Sequence, residues 1–180
     1  MAAIARACRW IDRLNEIVGQ AMAWLLLAVV GVVFLVVVLR YGFSWGRVWL
    51  QESYVWLHAT AFMLGAGYTL RHDGHVRIDV FYGRADPRRR AWVDLLGGAL
   101  LLLPFVAYLL VLSLPYVRAS WRQWEHSREA GGLPGVFLLK TVIPVFALLL
   151  LLQGLSLMGK AWLRLGGRPD LFATPGERPG

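Results

Sequence analysis

Residues 49–82 read WLQESYVWLHATAFMLGAGYTLRHDGHVRIDVFY. From Tyr54 to Leu70 this stretch carries no charge, and His58 is its only strongly polar side chain. A helix rises about 1.5 Å per residue, so residues 49–73 are long enough to cross a bilayer. Gly74 is typical of the residue that follows a helix C-terminus. The stretch therefore predicts a transmembrane helix that leads into a charged loop.

One face of this predicted helix carries small residues. His58, Ala61, Gly65 and Thr69 fall at positions i, i+3, i+7 and i+11, so they form one stripe. Ala61 and Gly65 are a small-xxx-small pair, which lets another helix approach closely. We expect the stripe to pack either within this chain or against a partner subunit, with His58 as a hydrogen-bonded packing residue.

Glu52 lies about one turn before the uncharged run. An ionisable group at the edge of a membrane helix is a candidate functional residue, because lipid makes an unpaired charge expensive. Alternatively, Glu52 simply marks the helix end, since the aromatic residues around it also indicate an interface. We predict that Arg40, Lys140 or a basic residue of another subunit neutralises it.

The composition of the whole chain is that of a membrane protein. Its 180 residues are 58% hydrophobic, and the apolar residues come in long runs. The net charge is +8, and the basic residues flank the apolar runs, as expected for attraction to anionic lipid headgroups rather than to nucleic acid. Cys8 is the single cysteine, which excludes an internal disulfide and a cysteine-based metal cluster.

The sequence predicts an all-α integral membrane protein with four transmembrane helices. An N-terminal amphipathic helix and an interfacial extension of helix three complete the predicted fold. Residues 1–18 form the amphipathic surface helix, with a signal peptide as the weaker alternative. Residues 19–165 form the transmembrane domain, and residues 166–180 form a disordered cytoplasmic tail. The predicted spans are residues 19–39, 49–73, 87–114 and 136–160.

Helix three begins with a clear start signal and contains one acid. Asp86 and Pro87 suit the N-cap and first helical positions. Asp94 lies inside the apolar part, where Arg71 or Arg90 could pair with it, or where it could snorkel to the surface. Beyond residue 114, tryptophans and arginines indicate a helical extension at the outer interface.

The distribution of basic residues predicts the orientation in the membrane. Thirteen lysines and arginines lie at the termini and in the loop after the second span, and six lie on the other side. This bias places both termini in the cytoplasm.

The histidines do not indicate a haem or a metal centre. Bis-histidine haem needs two histidines at matching depth, and His58 is the single one within the uncharged apolar part of a predicted span. His75 and Asp79 lie in a basic loop and are too few for a metal site, so we expect them to shape that loop. The spans also carry too few polar groups to line a conduit, and we expect no enzymatic activity.

Several motifs together resemble one family. The run QES-Y-VW, the following FMLGAGYTLRHDGHVRIDVFY and the later SREAGGLP at residues 127–134 are similar to the small membrane subunit of TRAP (tripartite ATP-independent periplasmic) transporters, the DctQ-like proteins. The resemblance covers roughly residues 20–160. It places the family's glutamate at Glu52 and its His-to-Asp segment at His75 to Asp79. Gln51 departs from the pattern, because many relatives carry a second acid there.

The resemblance implies a scaffold subunit without a substrate site or cofactor of its own. Its expected partners are a large polytopic membrane subunit, which would hold the substrate and sodium sites, a periplasmic substrate-binding protein and membrane lipids. The expected process is sodium-driven symport of an organic acid across the bacterial inner membrane. An anchor subunit of a redox complex is the alternative, and a stand-alone channel is a third option that the apolar spans disfavour.

The candidate residues fall into two groups. Subunit-interface or structural polar candidates are Arg40, Glu52, His58, Ala61, Gly65, Thr69, His75, Asp79, Asp94 and Lys140. Candidates for periplasmic docking are Arg122, Glu125, Arg128 and Glu129.

Overall fold

The computed structural model describes residues 1–74, 82–83 and 85–167. The regular elements in these ranges are helices. They are α1 (Ala2–Phe43), α2 (Val48–Arg71), α3 (Pro87–Gly97), a π-helical turn (Gly98–Leu102), α4 (Leu103–Arg122) and α5 (Val136–Leu165). His75 and Asp79, and residues 168–180 of the predicted tail, lie outside the described residues.

Helix α1 is one continuous helix of 42 residues. The structure therefore does not confirm a separate amphipathic surface helix at residues 1–18. Ala5, Cys8, Asn15 and Gly19 of the N-terminal part are buried inside the bundle. The reason is that polar side chains on this part of α1 bond to α5, which draws the segment against the bundle.

Helices α3 and α4 join through the π-helical turn into a helix that runs from Pro87 to Arg122. Pro104 lies just after the wide turn, where the loosened hydrogen-bond ladder accommodates its ring. The helix also continues through Pro115. The predicted end of the span at residue 114 is therefore not a helix boundary, and the expected extension is part of the same helix.

Three described helices are long and apolar enough to cross a membrane, namely Ala2–Phe43, Pro87–Arg122 and Val136–Leu165. Helix α2 forms as predicted, with 24 residues, but it does not belong to this set, so the count of four spans is not confirmed. It ends at Arg71, two residues before the predicted limit, and the Gly74 N–H then bonds to the Thr69 carbonyl at 2.9 Å.

Large apolar side chains cover the outside of the bundle. On α1, Trp24, Leu27, Val30 and Phe34 are 74%, 60%, 65% and 69% exposed. A contiguous apolar surface of this kind is unfavourable in water and favourable in lipid. The exposed surface therefore agrees with a membrane-embedded bundle.

The helices pack so that the two ends of the bundle are distinct. Helices α1 and α2 are antiparallel, because Gly19 meets Tyr68 and Glu16 meets Arg71. Helix α5 contacts all the other helices, and its apolar contacts include a cluster of Leu70, Val106, Ala147 and Leu150. We call the end with the α1–α2 turn and the α4–α5 loop the Glu52 end, and the opposite end the Asp12 end.

Candidate functional site: polar clusters at the two ends of the bundle

At the Glu52 end, the Glu52 carboxylate binds the loop between α4 and α5. Its Oε1 accepts a hydrogen bond from the Ser127 hydroxyl, and its Oε2 accepts one from the Leu133 N–H at 2.6 Å. Neither predicted basic partner within this chain pairs with Glu52, and a basic residue of another subunit stays a prediction. Lys140 pairs with Glu125, and Arg40 makes no ion pair with any described residue.

The loop of residues 123–135, which we call the Glu52 loop, is folded around this carboxylate. The Ser127 N–H bonds to the Leu133 carbonyl at 3.2 Å, and the Gly132 N–H bonds to the Glu129 carbonyl at 3.0 Å. A Cβ at Gly132 would lie 2.8 Å from Glu52 Oε2, so the loop backbone passes too close for a larger residue. Within the GGLP motif, Gly132 therefore lets the loop backbone approach Glu52 closely, and Leu133 supplies the N–H that binds the carboxylate.

A second set of contacts fixes the loop to α5. Lys140 Nζ bonds to Glu125 Oε2 at 2.5 Å and lies 4.1 Å from the centroid of the Tyr116 ring. The hydrogen bond from Lys140 lowers the pKa of the Glu125 carboxyl below its ordinary value. Trp124 also packs edge-on against Phe137, with ring centroids 5.2 Å apart. The start of the loop is thus held by an ion pair and an aromatic contact.

The predicted docking residues lie in or beside the Glu52 loop. Arg122, Arg128 and Glu129 are exposed, and Glu125 is half-buried by its contact with Lys140. The structure therefore brings Glu52 and the docking candidates together at one end of the bundle, although the sequence placed Glu52 in a separate group.

At the Asp12 end, a carboxylate links α1 to α5. Asp12 Oδ1 accepts hydrogen bonds from Gln153 Nε2 at 3.0 Å and from the Ser156 hydroxyl at 2.8 Å. Asp12 Oδ2 lies 2.5 Å from Lys160 Nζ, and the Asp12 side chain is 13% exposed. Asn15 adds a hydrogen bond from Nδ2 to Gln153 Oε1 at 2.9 Å. We call these five side chains the Asp12 network.

Helix α2 is attached to the same region. Arg71 donates to the Asp12 carbonyl at 2.7 Å and to Glu16 Oε2 at 2.5 Å. The ring of His72 also contacts Glu16 Oε2 at 2.9 Å. Three helices therefore meet at the Asp12 end through side chains of opposite charge.

The oxygen of Asn15 explains a close approach between α1 and α2. Asn15 Oδ1 is buried without a conventional hydrogen-bond partner among the described residues. A Cβ at Gly67 would stand 2.0 Å from this oxygen, so a Cα–H of Gly67 points at it. Such a contact is a weak hydrogen bond. Gly67 is thus the residue that lets Asn15 fit between the helices.

Sequence reasoning missed the Asp12 network. Gln153, Ser156 and Lys160 fall at i, i+3 and i+7 on α5, and Asp12 and Asn15 lie three residues apart on α1. Polar residues at helical spacing on two helices were the available signal. The sequence instead assigned the first 18 residues to a surface helix, which removed Asp12 from consideration.

Asp94 has a different partner from those predicted. The Tyr82 hydroxyl contacts both Asp94 oxygens at 2.9 Å. Arg71 is engaged with Glu16, and Arg90 donates to the carbonyls of Ala85 and Gly83. The carboxylate is therefore satisfied by a phenol on the loop that precedes α3, and neither predicted arginine bonds to it.

The predicted small-residue stripe borders an open groove between α1 and α2. The groove has a volume of about 470 Å³. Its lining includes His58, Ala61, Gly65 and Thr69. Ala61 is buried, but a Cβ at Gly65 would meet nothing within 4 Å. His58 is exposed and has no hydrogen-bond partner among the described residues. The stripe is thus not the tight helix contact of this chain, and His58 is not a hydrogen-bonded packing residue within it.

The chemistry that these clusters support is structural. Among the described residues, no group of three or more His, Cys, Asp or Glu side chains could hold a metal ion. Cys8 is buried and donates to the Ser156 carbonyl at 3.6 Å. The two carboxylates at the ends of the bundle hold helices and a loop in place.

These features define a multi-pass helical membrane protein whose polar side chains fix its own architecture. The family model for "Tripartite ATP-independent periplasmic transporters, DctQ component" matches residues 29–164. The match covers most of the chain, which therefore belongs to the DctQ family, the small component of TRAP transporters. No curated protein and no solved structure was found to match the chain.

Proposed function

We propose that this chain is the scaffold subunit of a sodium-coupled inner-membrane transporter for organic acids. In this proposal it stabilises a large transport subunit and helps to dock a periplasmic substrate-binding protein. Membership of the DctQ family supports the association with a tripartite transporter. The observation that carries the docking role is the Glu52 loop, which Glu52 and Lys140 hold in one shape at the end of the bundle.

The Glu52 loop has the properties of a docking surface. Its backbone is fixed by internal hydrogen bonds, while Arg122, Arg128 and Glu129 remain exposed. A preformed surface loses little conformational freedom when a partner binds, and its charges steer the encounter. The basic-residue bias supports a periplasmic position for this loop and a cytoplasmic position for both termini.

The groove between α1 and α2 is the proposed contact with the large subunit. It is lined mainly by apolar and small residues, with His58 exposed at one side. A polar side chain within a membrane helix needs a hydrogen-bond partner. A polar residue of the large subunit would provide one for His58, and the open space above Gly65 would admit a side chain of that subunit.

The interior of the described bundle supports a subunit that transports nothing alone. The Asp12 network is closed by its own hydrogen bonds, and the groove has mostly apolar walls. A conduit for a carboxylate needs a continuous series of polar groups. We assign the substrate and sodium sites to the large subunit.

Reconstitution into liposomes tests this proposal. Sodium-driven uptake of a carboxylate should require this chain, the large subunit and the binding protein together. Uptake by this chain alone would refute the scaffold role. Haem absorption in the purified protein would instead favour a redox anchor.

A further inference from the structure

A basic pocket lies where α1 turns into α2, beside the Glu52 loop. It has a volume of about 330 Å³. Its lining consists of Arg40, Ser44, Gly46, Arg47, Val48 and Gln51. Arg47 also lines a neighbouring depression, together with Ala130 and Gly131 of the Glu52 loop. We call the first cavity the Arg40–Arg47 pocket.

The positive charge of this pocket has no counterpart among the described residues. Neither Arg40 nor Arg47 forms an ion pair there, and the first turn of α2 contains no acid. The nearest carboxylate in sequence, Glu52, is occupied by Ser127 and Leu133. Gln51 lines the pocket but carries no charge. Two guanidinium groups therefore share one concave site without an anion.

The backbone adds to this positive potential. Arg47 is the N-cap residue of α2, and no side chain caps this end. Its guanidinium cannot accept a hydrogen bond from the helix N–H groups, and the helix N-terminus itself favours an anion. Arg40 lies in the last turn of α1, where a cation is favourable, but its donors still have no acceptor on any described side chain.

Arg47 is held in position by an aromatic side chain. Its guanidinium carbon lies 5.5 Å from the centroid of the Trp45 ring. This contact restricts the arginine without using its hydrogen-bond donors. The pocket is thus partly preorganised for a group that accepts several hydrogen bonds.

The surrounding residues indicate the depth of the pocket in the membrane. Tyr41, Phe43, Trp45 and Trp49 are all exposed, and they lie next to the end of the long apolar surface of α1. Exposed aromatic residues at the end of a span are typical of the headgroup region. An anion that reaches the pocket at this depth is most readily the phosphate of a phospholipid.

The apolar surface next to the pocket fits the rest of such a lipid. Val33, Val37 and Arg40 lie at i, i+4 and i+7 on one face of α1, and both valines are exposed. An acyl chain could follow this face while the phosphate meets the arginines. Arginine binds phosphate through paired, charge-assisted hydrogen bonds.

We propose that the Arg40–Arg47 pocket binds the phosphate group of a phospholipid, with the acyl chains against the Val33–Val37 face of α1. The site is separate from transport and does not depend on the proposed docking of a binding protein. It holds a lipid beside the Glu52 loop, since Arg47 also borders the depression that contains Ala130 and Gly131.

The test measures lipid affinity of the purified full chain in detergent by native mass spectrometry and by thermal shift. The probes are phosphatidylglycerol, a diacylglycerol with the same acyl chains and inorganic phosphate. Phosphatidylglycerol should bind and raise Tm, while the other two probes should have little effect. The double variant Arg40→Gln/Arg47→Gln should bind phosphatidylglycerol about tenfold more weakly.

The matched control is Arg118→Gln, compared with the single variant Arg40→Gln, because it removes the same charge at the same end but outside the pocket. It should retain the affinity of the unmodified chain. If the double pocket variant does not fold, the single variant Arg40→Gln, whose side chain is exposed, carries the same comparison.

Four outcomes would overturn the proposal. An equal effect of inorganic phosphate would make the pocket a site for free anions. An equal effect of diacylglycerol would show that acyl chains alone drive binding. An equal loss in the control variant would show a general charge effect. Unchanged lipid affinity in the pocket variant, together with lost uptake in the reconstituted transporter, would indicate an acidic protein partner instead.

Discussion

The two ends of the bundle use a carboxylate for different purposes. Asp12 accepts hydrogen bonds from three side chains of one neighbouring helix, so it fixes the spacing of α1 and α5. Glu52 accepts from a hydroxyl and a backbone N–H of a loop, so it fixes the shape of a surface segment. The same side-chain chemistry therefore stabilises the scaffold at one end and a candidate binding surface at the other.

The largest effect is expected from Asp12→Ala. Lys160, Gln153 and Ser156 would lose their common acceptor, and Lys160 is only 21% exposed. Removing one member of such a pair costs about 3–5 kcal/mol. The free energy of unfolding in mixed micelles measures the loss. Arg13→Ala, one residue away and exposed, is the control, and an equal effect of the two substitutions would contradict the role of the network.

A smaller effect on stability, with a larger effect on function, is expected from Glu52→Ala. The Leu133 N–H and the Ser127 hydroxyl would lose a charged acceptor, which is worth about 1.5–3 kcal/mol. Trypsin should then cleave faster at Arg128, and uptake that depends on the binding protein should fall. Gln51→Ala is the neighbouring control. Unchanged cleavage and uptake would show that Glu52 only marks the end of the helix.

Two glycines of α2 should respond in opposite directions. Gly67→Ala places a Cβ 2.0 Å from Asn15 Oδ1 and should destabilise the chain by about 1–3 kcal/mol. Gly65→Ala meets nothing within 4 Å and should stabilise the helix by up to about 1 kcal/mol. Thermal unfolding of the two variants makes the comparison. Equal destabilisation would show that the groove at Gly65 is closed in the protein.

The bulkier variant Gly65→Leu distinguishes an effect on the isolated chain from an effect on its assembly with the large subunit. We expect it to leave the stability of the isolated chain nearly unchanged and to reduce co-purification with the large subunit. Full assembly of this variant would exclude the groove as the contact with that subunit.

The smallest effect is the pH dependence of the Glu125–Lys140 pair. The pKa of Glu125 is lower in the folded protein than its ordinary value of 4.5. The contribution of this pair to stability is therefore present above pH 4.5 and is lost as the pH falls through the lower, folded pKa. Fluorescence of Trp121 and Trp124 should report loosening of the loop in this acidic range. Glu125→Gln should remove the transition, and its persistence would assign it to another group.

Local patterns in the sequence predicted the helices well and their limits less well. The uncharged run at residues 54–70 and the Asp86-Pro87 start signal correspond to α2 and α3. Continuity was harder to predict, because neither the change of composition near residue 18 nor Pro115 interrupts a helix. Tertiary contacts at the Asp12 end keep α1 continuous past residue 18, and the wide π-helical turn accommodates Pro104 within the Pro87–Arg122 helix.

Partners across the bundle were not predictable from single residues. Glu52 was identified as important, but its donors lie 75 and 81 residues away in the chain. One of them is a backbone N–H, which has no sequence signal. His58 and Gly65 were assigned to a tight face because small residues permit close packing, yet the close contact formed at Gly67 instead.

The length of α1 has a mechanical consequence. At about 1.5 Å per residue, its 42 residues extend over about 63 Å, roughly twice the thickness of the hydrocarbon layer. With residues 19–39 in the hydrocarbon, the Asp12 network lies beyond it, and burial between the helices rather than lipid shields Asn15, Gln153 and Ser156 from water. Because α1 is one continuous helix, its two parts move together as a rigid rod. A change in the tilt of residues 19–39 within the lipid would therefore move the N-terminal third of α1 relative to α5. The Asp12–Lys160 ion pair would resist that movement.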